Sequence, residues 1–199
     1  MIIETEEHPD WYHHVEGMRC LILGTYPPSA KRRNYPFYYP NKSNRFWETL
    51  AKVADHQLVF TENEDAVVER IGLMEQLKVG VENLGHVIER IDGSAEDKKI
   101  TIKEYRDILS IIKKSPKLRT ILLTGYSSNT NTYDDFLRYL AQNGIHIERL
   151  KKPKAKDSFY ITVESREIKV IVGNSTSRAA LSVKDESLVE QFKLAIFNE

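Results

Sequence analysis

A single cysteine stands among the 199 residues, so the chain can form no internal disulfide. Cys20 heads an apolar run and is expected to be a small buried residue in a reducing compartment. No stretch approaches the roughly 20 apolar residues needed to cross a bilayer. The opening Met1-Ile2-Ile3-Glu4-Thr5-Glu6-Glu7 is acidic and carries no signal-peptide core, so a cytoplasmic setting is expected. Charge of one sign is also missing: 29 basic residues meet 29 acidic ones. The overall field therefore gives no help to nucleic-acid binding, and any such help must be local. Walker phosphate loops, GxGxxG and the Gly-x-Ser-x-Gly elbow of serine hydrolases are all absent. Metal ligation has little to work with: His13 and His14 are adjacent, the other four histidines are scattered, and Cys20 has no cysteine partner. We expect no metal and no cofactor.

What is present is an ordinary globular composition, with 41% hydrophobic residues and a length suited to one domain over residues 1–199. Buried strands are expected at Cys20–Gly24, Arg119–Gly125 and Ile168–Val172, each a short apolar run closed by glycine. Further strands are expected at Ile145–Leu150 and Phe159–Val163. Helices are expected over Asn44–Ala54, Glu64–Leu77, from the polar loop after Gly125 to Asn143, and over Glu186–Phe197. Thr101-Ile102-Lys103-Glu104 has the capping-box pattern and predicts a helix with Tyr105, Ile108, Leu109 and Ile112 on one stripe. Gly80–Arg90 stays open, and Asp92-Gly93-Ser94 reads as a turn. Strands separated by helices imply an α/β fold, a three-layer αβα sandwich around a mainly parallel sheet.

In such a sheet the glycine-ended strands open on one edge, where open α/β sheets bind ligands. The loops there are Gly24-Thr25-Tyr26-Pro27-Pro28-Ser29, Gly125-Tyr126-Ser127-Ser128-Asn129 and Gly173-Asn174-Ser175-Thr176-Ser177-Arg178. Hydroxyls, backbone amides and one arginine can hold phosphate oxygens, although each loop alone could equally serve as turns and caps. An aromatic loop, Phe37-Tyr38-Tyr39-Pro40, and Asn44-Arg45-Phe46-Trp47 follow the first strand. Phe46 and Trp47 are expected in the core. Basic clusters lie at Lys31-Arg32-Arg33 and over residues 149–156.

Leu23-Gly24-Thr25-Tyr26-Pro27-Pro28-Ser29 and Asn44-Arg45-Phe46-Trp47 resemble motifs of the uracil-DNA glycosylase superfamily. The likeness is closest to its hypoxanthine-DNA glycosylase and mismatch-specific uracil glycosylase branches. Gly80-Val81-Glu82-Asn83, Arg90-Ile91-Asp92-Gly93-Ser94 and Asn174-Ser175-Thr176-Ser177-Arg178-Ala179-Ala180 resemble later motifs of the hypoxanthine branch, in order. The resemblance implies a monomeric DNA repair enzyme that hydrolyses the N-glycosidic bond of a flipped-out uracil or hypoxanthine. It implies Asn44 and Asn83 as catalytic positions, and Gly24, Tyr26, Phe37, Tyr38 and Tyr39 around the base. Ser29, Ser127, Asn174, Ser175, Thr176, Ser177 and Arg178 would contact DNA, with Arg178 a candidate wedge in the vacated stack. Two positions depart from the family pattern: Tyr26 replaces a water-positioning asparagine, and Asn83 replaces an aspartate. A binding module that keeps the fold without the chemistry remains open, as does a hydrolase of small phosphorylated metabolites.

Overall fold

The structure is a computed structural model that describes residues 2–92, 99–126 and 131–197. Strands β1 (Ile3–Glu7) and β2 (Cys20–Gly24) come first, then a 3-10 turn at Ala30–Arg32 and helices α1 (Phe46–Val53) and α2 (Asn63–Leu77). Next are β3 (Val79–Asn83), β4 (Gly85–Ile91), β5 (Ile100–Tyr105), α3 (Ile108–Lys114), β6 (Thr120–Thr124) and α4 (Thr132–Gln142). Strands β7 (Ser158–Val163) and β8 (Arg166–Gly173) and helix α5 (Asp185–Phe197) complete the chain.

The central sheet has the order β3-β2-β6-β8-β7, parallel except for β7, which pairs antiparallel with β8 at the edge. The four parallel strands are mostly apolar, fully buried in β2 and β3 and largely so in β6 and the second half of β8, as a covered parallel sheet requires. Helix α1 packs on α5 and α2, while α4 and α5 lie against β6. Phe46 and Trp47 are buried in the same core, as their helical spacing predicts. Cys20 is fully buried and unbridged, and that burial pushes its thiol far above the usual range.

A second sheet, antiparallel β1-β4-β5, departs from the sequence reading. The open segment Gly80–Arg90 holds most of two strands. The predicted helix from Thr101 is instead strand β5, and its helix begins only at Ile108. Asp107 is the true cap, its carboxylate accepting from the Ser110 amide at 2.9 Å. Ile100, Ile102 and Tyr105 are strand formers, and antiparallel pairing with β4 outweighs the local capping pattern. The predicted strand Ile145–Leu150 is irregular. Among the described residues no strand pairs with it, and the Leu150 amide donates to the Tyr133 hydroxyl at 3.0 Å instead. Within α2, Ala66, Arg70, Leu73 and Met74 form the buried side, while Val68 is 68% exposed.

Candidate active site

Register places the strand ends level. Asn83 of β3 lies opposite Gly24 of β2, and Thr124 of β6 lies opposite Gly173 of β8. The backbone beyond β2 continues the alignment, with Leu84 N donating to Gly24 O and Gly85 N to Thr25 O. At this edge a cavity of about 180 Å³ is walled by the Gly24–Pro28 loop, by Tyr39, Pro40, Asn41, Ser43 and Asn44, and by Ser175-Thr176-Ser177. Asn83, Arg90, Thr124 and Thr132 also reach it.

Two of the three expected loops therefore meet at the cavity through their own residues. The third strand end contributes Thr124, and the start of α4 contributes Thr132, while Ser127 lies outside the described residues. The last loop is clamped to the α1 entrance. Asn44 and Ser177 form an antiparallel bridge, Arg45 N donates to Thr176 O, and Arg178 N donates to Ser43 O. Ser29 and Asn174 stand outside the lining; the Asn174 amide donates to Gln191.

Asn44 turns the chain into α1. Its Oδ1 accepts from the Phe46 amide at 2.9 Å, a local bond typical of an Asx turn. That bond fixes the amide and leaves Nδ2 as a donor with no protein partner among the described residues. Arg45, the next residue, is buried. Its guanidinium binds Asp185 and the carbonyls of Ser177, Ala180 and Val183, tying the last loop to the start of α5.

The three consecutive aromatics separate. Phe37 and Tyr38, expected at the base, are packed in the core and do not line the cavity. Phe37 stacks on Trp47, and the Tyr38 hydroxyl donates to Glu82 at 2.8 Å. Tyr39 does line it. It adopts φ 46°, the left-handed region that a non-glycine residue occupies only when its surroundings hold it there. Its ring lies 3.9 Å from that of Phe46 at an interplanar angle of 8°, and its carbonyl accepts from Tyr35. The Thr124 hydroxyl already donates to Leu23 O, so the Tyr39 hydroxyl donates to Thr124 at 3.1 Å. Tyr26 forms another part of the wall. Its ring sits beneath the Arg90 guanidinium, and its buried hydroxyl has no hydrogen-bond partner among the described residues.

Behind the cavity is a polar assembly that the sequence did not announce. Glu82 is fully buried and accepts from Tyr38, from the Asn83 backbone amide and from two nitrogens of Arg106. Burial pushes its carboxyl above the usual range, against the pull of Arg106. Beside it the Asn83 Nδ2 lies 3.0 Å from His8 Nε2. Arg90, also unforeseen, is fully buried, grips Glu6 and donates to Pro27 O, which joins the second sheet to the first loop.

No carboxylate and no histidine lines the cavity among the described residues. Nor do those residues contain a cluster able to hold a metal ion. Arg178, the candidate wedge or DNA contact, is half-exposed at the rim of the last loop. Its guanidinium is engaged with both oxygens of Glu48 and with Lys42 O, while Leu181, three residues on, is 93% exposed. The first basic cluster stands beside the cavity. Lys31 and Arg32 are exposed, and Arg33 donates to Pro28 O and lies 5.0 Å over the Trp11 ring. The second is partly neutralised by Arg149–Asp134 and Lys156–Glu190 pairs.

No family model and no curated protein matches the chain. Among solved structures, a solution NMR structure from Methanosarcina acetivorans superposes with a TM-score of 0.62 over 98% of both chains, at 18% identity. That protein bears the name putative uracil DNA glycosylase. The two chains share a fold. No helix among the described residues is long and apolar enough to cross a membrane.

Proposed function

We propose that this protein is a monofunctional DNA glycosylase that hydrolyses the N-glycosidic bond of uracil or hypoxanthine turned out of DNA. The observation that carries the reading is the cavity at the strand ends, where two fixed amides offer opposite hydrogen-bonding groups. Asn83 presents its Oδ1, and Asn44 its Nδ2. A lactam edge offers an N–H for the Asn83 oxygen and a C=O for the Asn44 donor, which is the pairing this reading assigns to them. The fold shared with a protein named for uracil DNA glycosylase activity supports the same reading.

A base inside a duplex is out of reach, so it must be flipped at a cost of a few kcal/mol, least for mispaired bases. Tyr26 and Tyr39 supply aromatic walls, and such stacking is worth about 1–3 kcal/mol per base. Ser175, Thr176 and Ser177 would hold the flanking phosphates, and Leu181 would fill the vacated stack. Breaking the bond leaves an oxocarbenium-like sugar and a departing base anion. The Asn44 donor stabilises that anion or holds the attacking water.

A second reading has its own support. With amides alone where the family pattern has a carboxylate, the protein could bind a flipped base without cleaving it. A duplex carrying one uracil or hypoxanthine, incubated with the protein and heated in alkali, separates the two. Strand scission supports the glycosylase. Retention of the duplex without scission supports the binding module, and neither outcome overturns both.

A further inference from the structure

We propose that His8 is the positioning residue that holds the Asn83 amide with its oxygen toward the cavity. The site thereby takes bases that present a ring N–H and rejects those that present a bare ring nitrogen. The proposal rests on the glycosylase reading above and adds to it the group that sets base selectivity.

The argument runs through one proton. His8 Nδ1 lies 2.6 Å from Pro9 O. A carbonyl only accepts, so Nδ1 carries the hydrogen. His8 is buried, and its pKa is lowered to about 4, first by burial, with Arg106, Arg33 and His86 adding to it and the Pro9 bond opposing. The ring is neutral at physiological pH, and Nε2 is a bare acceptor. Its neighbour at 3.0 Å must then be the NH₂ of Asn83, not its oxygen. The ring itself has little freedom, enclosed by Trp11, Tyr26 and Tyr38 at centroid distances of 5.5–5.8 Å.

With Nδ2 claimed by His8, Oδ1 is left at the cavity floor. It stands 2.6 Å from where a Cβ on Gly24 would be, and no described residue donates to it. An acceptor there suits uracil N3–H or hypoxanthine N1–H. Cytosine N3 and adenine N1 are lone pairs and would face it in repulsion. Deamination changes this one position from acceptor to donor, so an amide that cannot turn distinguishes the lesion from the parent base. A site built around one hydrogen-bond polarity rejects the wrong partner because it leaves a buried group unpaired. An amide free to turn presents either group and loses that discrimination.

Two measurements test this. Nitrogen-15 NMR of the histidine rings in the wild-type protein at pH 7 is expected to show His8 with its proton on Nδ1 and Nε2 unprotonated. A proton on Nε2 overturns the proposal. His8→Phe keeps an aromatic ring in the pocket and removes the acceptor. Single-turnover excision from matched duplexes is expected to show the uracil-to-cytosine and hypoxanthine-to-adenine rate ratios falling at least tenfold, with duplex affinity within twofold of the parent. A folded His8→Phe protein with unchanged ratios, or with an unchanged uracil rate where cytosine excision stays undetectable, overturns the role of His8 alone. Absence of excision by the wild type overturns the glycosylase reading instead.

Discussion

Replacing Gly24 by alanine tests the cavity floor at a single methyl group. Gly24 closes β2 opposite Asn83. An alanine Cβ there would stand 2.6 Å from both Asn83 Oδ1 and the Tyr39 hydroxyl, where ordinary contact begins at 3.4 Å. Each group must retreat by about 0.8 Å, the difference between those distances. Neither is free to do so cheaply: Tyr39 is hydrogen-bonded to Thr124 and stacked on Phe46, and Asn83 is bonded to His8. Overpacking of this kind costs about 1–3 kcal/mol. A misplacement near 1 Å at a reacting centre costs on the order of 10² in rate. Gly24→Ala should therefore shift the urea midpoint by an amount worth about 1–3 kcal/mol and cut single-turnover excision of uracil or hypoxanthine about 10²-fold. Gly72→Ala is the control. Nothing lies within 4 Å of its added Cβ in helix α2, so it should stabilise by about 0.5–1 kcal/mol and leave excision unchanged. Excision by Gly24→Ala at the parent rate and stability would refute the placement of Asn83 and Tyr39 at the floor.

Other perturbations have equally definite outcomes. Because burial lowers the pKa of His8 from 6.5 to about 4, the unfolded chain takes up a proton in this interval that the folded protein resists. The His8 contribution to stability should be complete above about pH 6.5 and fall by about 3 kcal/mol as pH drops to 4. Urea titrations of the wild type and His8→Phe check it; equal pH slopes would contradict it. Asn44→Ala removes the donor at the cavity and the bond to the Phe46 amide. It should cost about 1 kcal/mol of stability and about 10²–10³ in excision rate. Leu181→Ala should weaken duplex binding without moving the melting temperature, because that side chain is almost wholly exposed. Arg178→Ala, which breaks a half-exposed pair with Glu48, should change stability by less than about 1 kcal/mol. Fluorescence anisotropy and thermal melts read both.

What was legible in the sequence followed from physical type. Cys20–Gly24, Arg119–Gly125 and Ile168–Val172 are apolar on every residue that matters and stop at glycine or just short of it, so their burial and common edge could be read locally. The antiparallel sheet could not. Ile3–Glu7 is mostly exposed and acidic, and Thr101–Glu104 carries a helix-capping pattern that only pairing with Gly85–Ile91 overrides. The aromatic loop shows the same limit within three residues. Phe37, Tyr38 and Tyr39 have similar chemistry, yet the left-handed turn at Tyr39 and the buried Glu82 send the first two into the core and only the third to the cavity. Asn44 came from the resemblance of Asn44-Arg45-Phe46-Trp47 to a family motif, and its side chain does line the cavity. His8 was not legible, because its partner Asn83 is 75 positions away and nothing in the residues around it announces the contact.

The central claim, hydrolytic release of a lactam base by two opposed amides, is tested most directly by base release itself. Duplexes containing uracil, hypoxanthine, cytosine or adenine at one position should be incubated with excess protein, and the freed base quantified by mass spectrometry. Free uracil or hypoxanthine, with little cytosine or adenine and a rate reduced about 10²–10³-fold in Asn44→Ala, is the predicted result. Release of no base by the wild type, or release undiminished in Asn44→Ala, would contradict it.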